Sequence, residues 1–222
     1  MQFKRTVSAG IQAAVARGQS VLLLGPRQTG KTTLVKSLAP THYLNLMDPT
    51  LRVRYESAPG HLIAEIKAQA KNLGRKPLVV IDEIQKVPVL TDCVQILIDD
   101  GIAQFVLTGS SSRQIKNLLP GRVIRVQLGP LTLEEFAGQE YGLEDILMTG
   151  TLPAMVANRD ADFREQTLGT YSALYLDEEI RKEALVRNIG AFARFLEAAS
   201  FSQGQILNYS NVSAECSVET RG

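Results

Sequence analysis

The chain has 222 residues, 45% hydrophobic and 21% charged, and its 24 lysines and arginines against 23 acidic residues leave a net charge of +1. That length buries one ordinary core plus a smaller appended unit, and the balanced charge excludes steering to nucleic acid or to an anionic membrane by the overall field. The longest apolar runs, 21–24 and 78–81, are strand length and far short of a membrane span, so no membrane partner is expected.

In chain order, Lys4 and Arg5 precede an apolar stretch, but Arg17 and Gln19 interrupt it too early for a secretory leader, and a cytoplasmic protein is expected. The run Val21-Leu22-Leu23-Leu24 predicts a first strand over 20–24. It leads directly into Gly25-Pro26-Arg27-Gln28-Thr29-Gly30-Lys31-Thr32, which fits G-x-x-x-x-G-K-[ST] and precedes a helical pattern. In such a cradle the two glycines are expected to turn the backbone with positive φ, so that successive N–H groups and the positive end of the helix face the phosphates. Lys31 supplies a point charge for the β and γ oxygens, and Thr32 a hydroxyl ligand for the Mg²⁺ that accompanies a nucleoside triphosphate.

Further strands are predicted at 43–46, 78–82, 105–109 and 123–128. Between them, Ile63, Ile66, Ala70 and Leu73, and then Val87, Leu90, Val94 and Leu97, recur at helical spacing. Alternating strand and helix predicts an α/β fold, a five-stranded parallel sheet covered on both faces, with ligands beyond the carboxyl ends of the strands. Asp48, before Pro49, reads as a turn residue. Cys93, Cys216, His42 and His61 are isolated, so reduced thiols and bland turn or surface histidines are expected. Thr132-Leu133-Glu134-Glu135 has capping-box spacing and predicts a short helix; Gly150 and Pro153 punctuate a turn. From 161 to 199 the chain reads as mostly helical, with Phe163, Tyr171, Leu174, Tyr175, Ile180, Phe192, Phe195 and Leu196 as candidate core.

The strand Leu78–Ile81 ends in Asp82-Glu83. An acid at this position in a phosphate-loop enzyme holds Mg²⁺, and an adjacent glutamate can orient and deprotonate the attacking water, so Asp82 is assigned to the metal and Glu83 to the base. The strand 105–109 runs into Ser110-Ser111-Ser112; a hydroxyl from Thr108 or Ser110 could report on the third phosphate, or a serine could cap a helix over 111–119. Among Arg113, Arg122 and Arg125, Arg122 after Pro120-Gly121 is the preferred arginine for charge developing on the phosphoryl group, acting in cis or on a neighbouring subunit.

With these residues in place, the chain resembles a prokaryotic family of predicted ATPases that carry an AAA-type P-loop core, a helical segment and a C-terminal winged helix-turn-helix. The resemblance runs through Gly25 to Thr33 as GPRQTGKTT, Tyr43 to Asp48, Asp82-Glu83-Ile84-Gln85-Lys86-Val87-Pro88, Leu107-Thr108-Gly109-Ser110-Ser111, Pro120-Gly121-Arg122 and Gly150-Thr151-Leu152-Pro153. It implies an AAA/ASCE-type core over 1–135, a helical unit over 136–199, and over 200–222 the start of a winged helix-turn-helix that stops before its recognition helix. It also implies ATP as ligand, held by Gly25 through Thr33, with Mg²⁺; a further copy of the chain, and DNA or a protein client at the C-terminal unit, are the other partners to be expected. The leading expectation is a Mg²⁺-dependent ATPase whose nucleotide state moves the helical unit. A phosphate-loop kinase is the second enzyme reading, a GTPase is disfavoured by the lack of N-K-x-D, and a non-hydrolysing nucleotide-binding module or DNA-associated adaptor is the reading from another class.

Overall fold

The computed structural model describes residues 3–110, 119–175 and 189–201, with positions 204, 206, 210 and 213 beyond them. Its contacts divide the chain into two units, 1–164 and 165–222.

In the first unit, helix α1 (Val7–Ala16) precedes β1 (Ser20–Leu24); α2 (Lys31–Lys36), β2 (His42–Asn45), α3 (Pro49–Ser57), α4 (Gly60–Leu73) and β3 (Leu78–Asp82) follow. A single 3₁₀ turn over Ile84–Lys86 leads to α5 (Leu90–Asp99), β4 (Gln104–Gly109) and β5 (Val123–Gln127). All five strands lie parallel in the order β2-β3-β4-β1-β5. Thus β4 separates the strand that carries the glycine loop from the strand that ends in the acidic pair.

Side chains alternate across a strand, and the buried residues sort accordingly. Val21 and Leu23 join Val80, Val106, Ile11, Leu34 and Val35 on the face covered by α1 and α2. Leu22 and Leu24 join Val79, Ile81, Phe105, Leu107 and the inner sides of α3, α4 and α5 on the other. A strand buried on both faces reads as a continuous apolar run, which is why β1 and β3 were legible in the sequence. The stripe Val87, Leu90, Val94 and Leu97 is fully buried, but on α4 the buried pair is Leu62 and Ile66, and Leu73 at the helix end is 41% exposed.

Asp48 caps α3, its Oδ1 accepting from the Thr50 N–H at 2.8 Å. His42 sits in β2, where burial pushes its imidazole pKa down. Cys93 is a buried free thiol, while Cys216 lies outside the described residues. The expected helix at 132–135 is corrected: Glu135 does reach back to the Thr132 N–H at 3.1 Å, but the segment forms only turns. Glu135 also binds groups near the N-terminus, and those bonds anchor the turn where a helix would have continued.

Beyond β5, α6 (Leu143–Thr149) and α7 (Pro153–Ala157) surround a small satellite core of Leu131, Phe136, Tyr141 and Val156, against which Phe3 and Ile146 pack. Phe136 and Tyr141 meet edge to face at 5.7 Å. Because Phe3 comes from the start of the chain, this cluster binds 131–156 to the first unit, which extends to 164. Arg164 finishes it, 8% exposed, donating to the carbonyls of Met155 and Asn158 and to Asp145.

Helix α8 (Ala161–Leu174) continues into the second unit, which contains α9 (Ile189–Phe201). The candidate core of this region is corrected in part, since Phe163, Leu174, Phe195 and Leu196 are each about 40% exposed. Tyr171 stacks on Tyr175, and Phe192 on Phe195, along single helices. Ile180, all but the last residue of the helix expected over 111–119, Arg113 included, and nearly all of 206–218, expected to begin a helix-turn-helix, lie outside the described residues. No helix among the described residues is long and apolar enough to cross a membrane.

Candidate functional site

The glycine loop begins where β1 ends, and its two glycines solve different problems. Gly30 is left-handed, with φ +92°. Gly25 has no positive φ, which corrects the expectation for it: a Cβ there would stand 2.1 Å from the Leu128 carbonyl oxygen, so the residue is a close approach between the loop and the chain leaving β5. The second left-handed residue of the loop is Gln28, at φ 61°. Thr29 is fully buried and its hydroxyl donates to the Pro26 carbonyl at 2.9 Å. Pro26 and Gln28 are exposed, Arg27 half-buried, and Thr33 exposed on the first turn of α2.

Lys31 is 5% exposed, and its ammonium donates to the carbonyls of Gly25 at 2.7 Å and Pro26 at 2.8 Å, folding back across the loop. A buried ammonium needs such partners; phosphate oxygens would offer it stronger, charge-assisted ones.

Asp82 is 1% exposed at the end of β3, and three hydroxyls converge on it. Thr32 Oγ1 donates to Oδ2 at 2.7 Å, the Tyr43 phenol donates to the same oxygen at 2.8 Å, and Thr108 donates to Oδ1. Burial, the bond to Asp82 and the nearby carboxylates push the Tyr43 pKa far up, so the phenol stays a donor. Thr32 thus reaches over the end of β4 to the acid. Its proton goes to Asp82, which leaves oxygen lone pairs for a cation. A hydroxyl and a carboxylate are hard oxygen donors, a set that suits Mg²⁺, and a metal bound by one or two such groups plus substrate phosphates needs no protein cage. Among the described residues no group of three or more His, Cys, Asp or Glu could form one.

Glu83 follows in the left-handed region, at φ 62°. A non-glycine there costs on the order of 1–3 kcal/mol and persists only when its surroundings enforce it. Here the Glu83 N–H donates to Thr108 Oγ1 at 3.0 Å, and Gln85 Nε2 donates to the Glu83 carboxylate and to Ser110 Oγ, the latter at 3.2 Å. The Thr108 hydroxyl is therefore spent on Asp82 and Glu83. Of the two hydroxyls expected as a phosphate reporter, Ser110, 7% exposed and joined to Glu83 through Gln85, is the one whose proton is not given to Asp82.

Arg122 lies elsewhere. Ser20 pairs with Val123, so Arg122 precedes the far end of β5, roughly 16 Å of strand from the glycine loop at about 3.3 Å per residue. It forms a two-pronged ion pair with Asp99, at 2.7 and 2.9 Å. The expectation of a finger acting in cis is corrected: in a parallel sheet a residue just ahead of a strand lies at the end opposite the glycine loop.

Two groups had no role at the site assigned from the sequence. Tyr43 is one. The other is Arg5, 7% exposed, whose guanidinium binds Glu135 at 2.9 Å and three backbone carbonyls, that of Thr29 in the loop among them. Both face the loop only after the sheet is assembled. Beside Arg5 lies a cleft of about 800 Å³, lined by Phe3, Lys4, Gln12, Gly30, Thr33 and Ser37 among others.

Glu135, whose side chain is 2% exposed, is pushed up by burial, yet hydrogen bonds from the N–H groups of Thr6 and Thr132 and the Thr6 hydroxyl, together with Arg5, hold its pKa below the usual value. A carboxyl depressed in the folded state contributes stability above its unfolded pKa, about 4.3, and loses it as pH falls through the lower folded value. The denaturation midpoint is expected to drop over that acid window, and Glu135→Gln to flatten this part of the profile. A profile identical in the variant would remove Glu135 as a source of acid lability.

The five-stranded parallel sheet, with its glycine loop after β1 and acidic pair after β3, defines a P-loop ATPase fold. A family profile described as an AAA domain matches residues 17–137, more than half of the chain, and the chain belongs to that family. A second profile, a domain of unknown function, matches 140–222, the stretch for which the resemblance implied a helical unit and the start of a winged helix-turn-helix. An uncharacterized protein of Mycobacterium tuberculosis and its counterpart in Mycobacterium bovis are each 28% identical over 186 residues, covering 80% of this chain and 40% of their own length. The chain therefore spans less than half of these relatives. Among solved structures, a Walker-type ATPase of Pyrococcus abyssi superposes with a TM-score of 0.61 at 15% identity, covering 97% of this chain and 88% of its own.

Proposed function

We propose that the protein binds ATP with Mg²⁺ at the loop Gly25–Thr33 and hydrolyses it to ADP and phosphate. The observation that carries this reading is the 2.7 Å bond between Thr32 and Asp82, which brings the hydroxyl after the loop lysine to the acid of β3. Thr32 and Asp82 would hold Mg²⁺, which supplies neutralisation of charge on the β and γ oxygens. The loop amides and Lys31 bind and orient the triphosphate. Glu83 accepts the proton of a water that attacks the γ-phosphorus; the bond from that phosphorus to the bridging oxygen breaks, and ADP leaves with the bonding electrons. Ser110, through Gln85, relates the presence of the third phosphate to the position of the Glu83 carboxylate. The cleft beside Phe3 has the size and mixed lining to take the base and ribose.

The nucleotide state is read by the C-terminal half, since Arg5 ties the loop to 129–135, the segment that leads into it. DNA or a protein client at that half, and association between copies, complete the reading.

Phosphate release from ATP by the purified protein, with and without DNA and with EDTA, tests it. Release above the buffer rate that EDTA abolishes is expected. Tight ATP binding with release no faster than buffer would overturn hydrolysis and select a nucleotide-holding module.

A further inference from the structure

Arg5 belongs to no phosphate-binding motif, yet it is the group outside the loop that grips the loop's apex. Its Nη1 donates to the Thr29 carbonyl and lies 3.7 Å from the place where a Gly30 Cβ would stand, so the guanidinium sits against the Thr29–Gly30 peptide. The remaining donors fix Arg5 itself: Nη2 to Gly129 at 2.8 Å and Pro130 at 3.2 Å, and Nε to Glu135 at 2.9 Å. Glu135 is in turn held by the Thr6 N–H at 2.7 Å and hydroxyl at 2.9 Å.

A trans peptide directs its C=O and N–H to opposite sides, and no peptide bond among the described residues is cis. A donor that holds the Thr29 carbonyl on one side therefore fixes the Gly30 N–H on the other. Of the loop peptides this one has most need of it, because Gly30, at φ +92°, has no Cβ to restrict rotation on its C-terminal side. Thr29 cannot compensate, since its own hydroxyl is committed to Pro26.

We propose that Arg5, held by Glu135, is a positioning residue that locks the Thr29–Gly30 peptide with its amide turned into the phosphate cradle. It rests on the reading of this loop as a phosphate site, and it assigns Arg5 to polyphosphate affinity and not to the chemical step. A preset amide binds an oxyanion without first rotating, and the ordering cost is met on folding instead of on binding. A lysine at position 5 keeps the charge but has no planar fork with which to hold Glu135, Gly129 and Thr29 together.

The test is titration of wild type, Arg5→Lys and Glu135→Gln with ADP, with steady-state ATP hydrolysis and thermal midpoints measured alongside. Arg5→Lys is expected to weaken ADP about tenfold, near the lower limit of the worth of one charge-assisted bond, and to raise KM by a similar factor with kcat within about twofold. Glu135→Gln should move the same way by less. A folded Arg5→Lys protein with wild-type ADP affinity, or with kcat lowered and KM unchanged, would overturn the proposal while leaving the phosphate site standing. Failure of the wild type to bind ADP would instead sink the nucleotide reading itself. Should the variants not fold, the Gly30 amide resonance of the wild type decides: a downfield move on adding ADP is expected, and an unmoved resonance in a protein that binds ADP counts against the assignment.

Discussion

Lys31→Ala is expected to weaken binding of both ATP and ADP by a hundredfold or more, with the fold intact. The ammonium is confined at the loop, 5% exposed, and donates to the carbonyls of Gly25 and Pro26. A charge-assisted hydrogen bond contributes about 1.5–3 kcal/mol, and a lysine that exchanges two neutral carbonyls for oxygens on two phosphates gains more than one such bond. Alanine is the best helix former and stands here at the first residue of α2. The two carbonyls left behind are the main structural cost, and the thermal midpoint of the variant measures it separately. Calorimetric titration checks the binding; affinity within about threefold of the parent would remove the ammonium from phosphate recognition.

Glu83→Gln should give the opposite signature, with ATP bound as before and turnover reduced by about 10² to 10⁴, the usual worth of a general base. The substitution is nearly isosteric, and a glutamine carbonyl can still accept from Gln85 Nε2 as the carboxylate does. The backbone at this position is left-handed in either case and is pinned by the Glu83 N–H to Thr108 at 3.0 Å, so the loop geometry persists. What is lost is the carboxylate to which the proposed mechanism gives the proton of water. Single-turnover hydrolysis of prebound ATP isolates that step from binding and release. A variant with the parental rate would remove Glu83 as the general base.

Much of the fold follows from local pattern. Each central strand is an apolar run because both of its faces are covered, and the helix before β4 carries a clean stripe in Leu90, Val94 and Leu97. Glycines with positive φ were less legible than the motif suggests, because a glycine can be required for space, as Gly25 is, while Gln28 accepts the strained turn. The helical region after 160 was harder for a different reason. Its aromatic residues have helical spacing, but spacing does not say what covers them, and Phe163 and Phe195 remain about 40% exposed.

The sequence by itself determined the chemistry on offer: a loop of glycines, lysine and threonine after one buried strand, and two carboxylates after another. These are contiguous, and short-range backbone preference and hydrophobic burial suffice to place each at a strand end. Only the tertiary structure decided which groups meet there. The insertion of β4 between β1 and β3 puts Thr108 under both acids, the pairing of β2 with β3 brings the Tyr43 phenol onto Asp82, and the packing of the N-terminal segment against 129–135 sets Arg5 on the loop. The same parallel register carries Arg122 to the other end of the sheet. Contacts between residues 24 to 130 positions apart depend on strand order, and strand order is fixed by the packing of whole elements, which no single motif encodes.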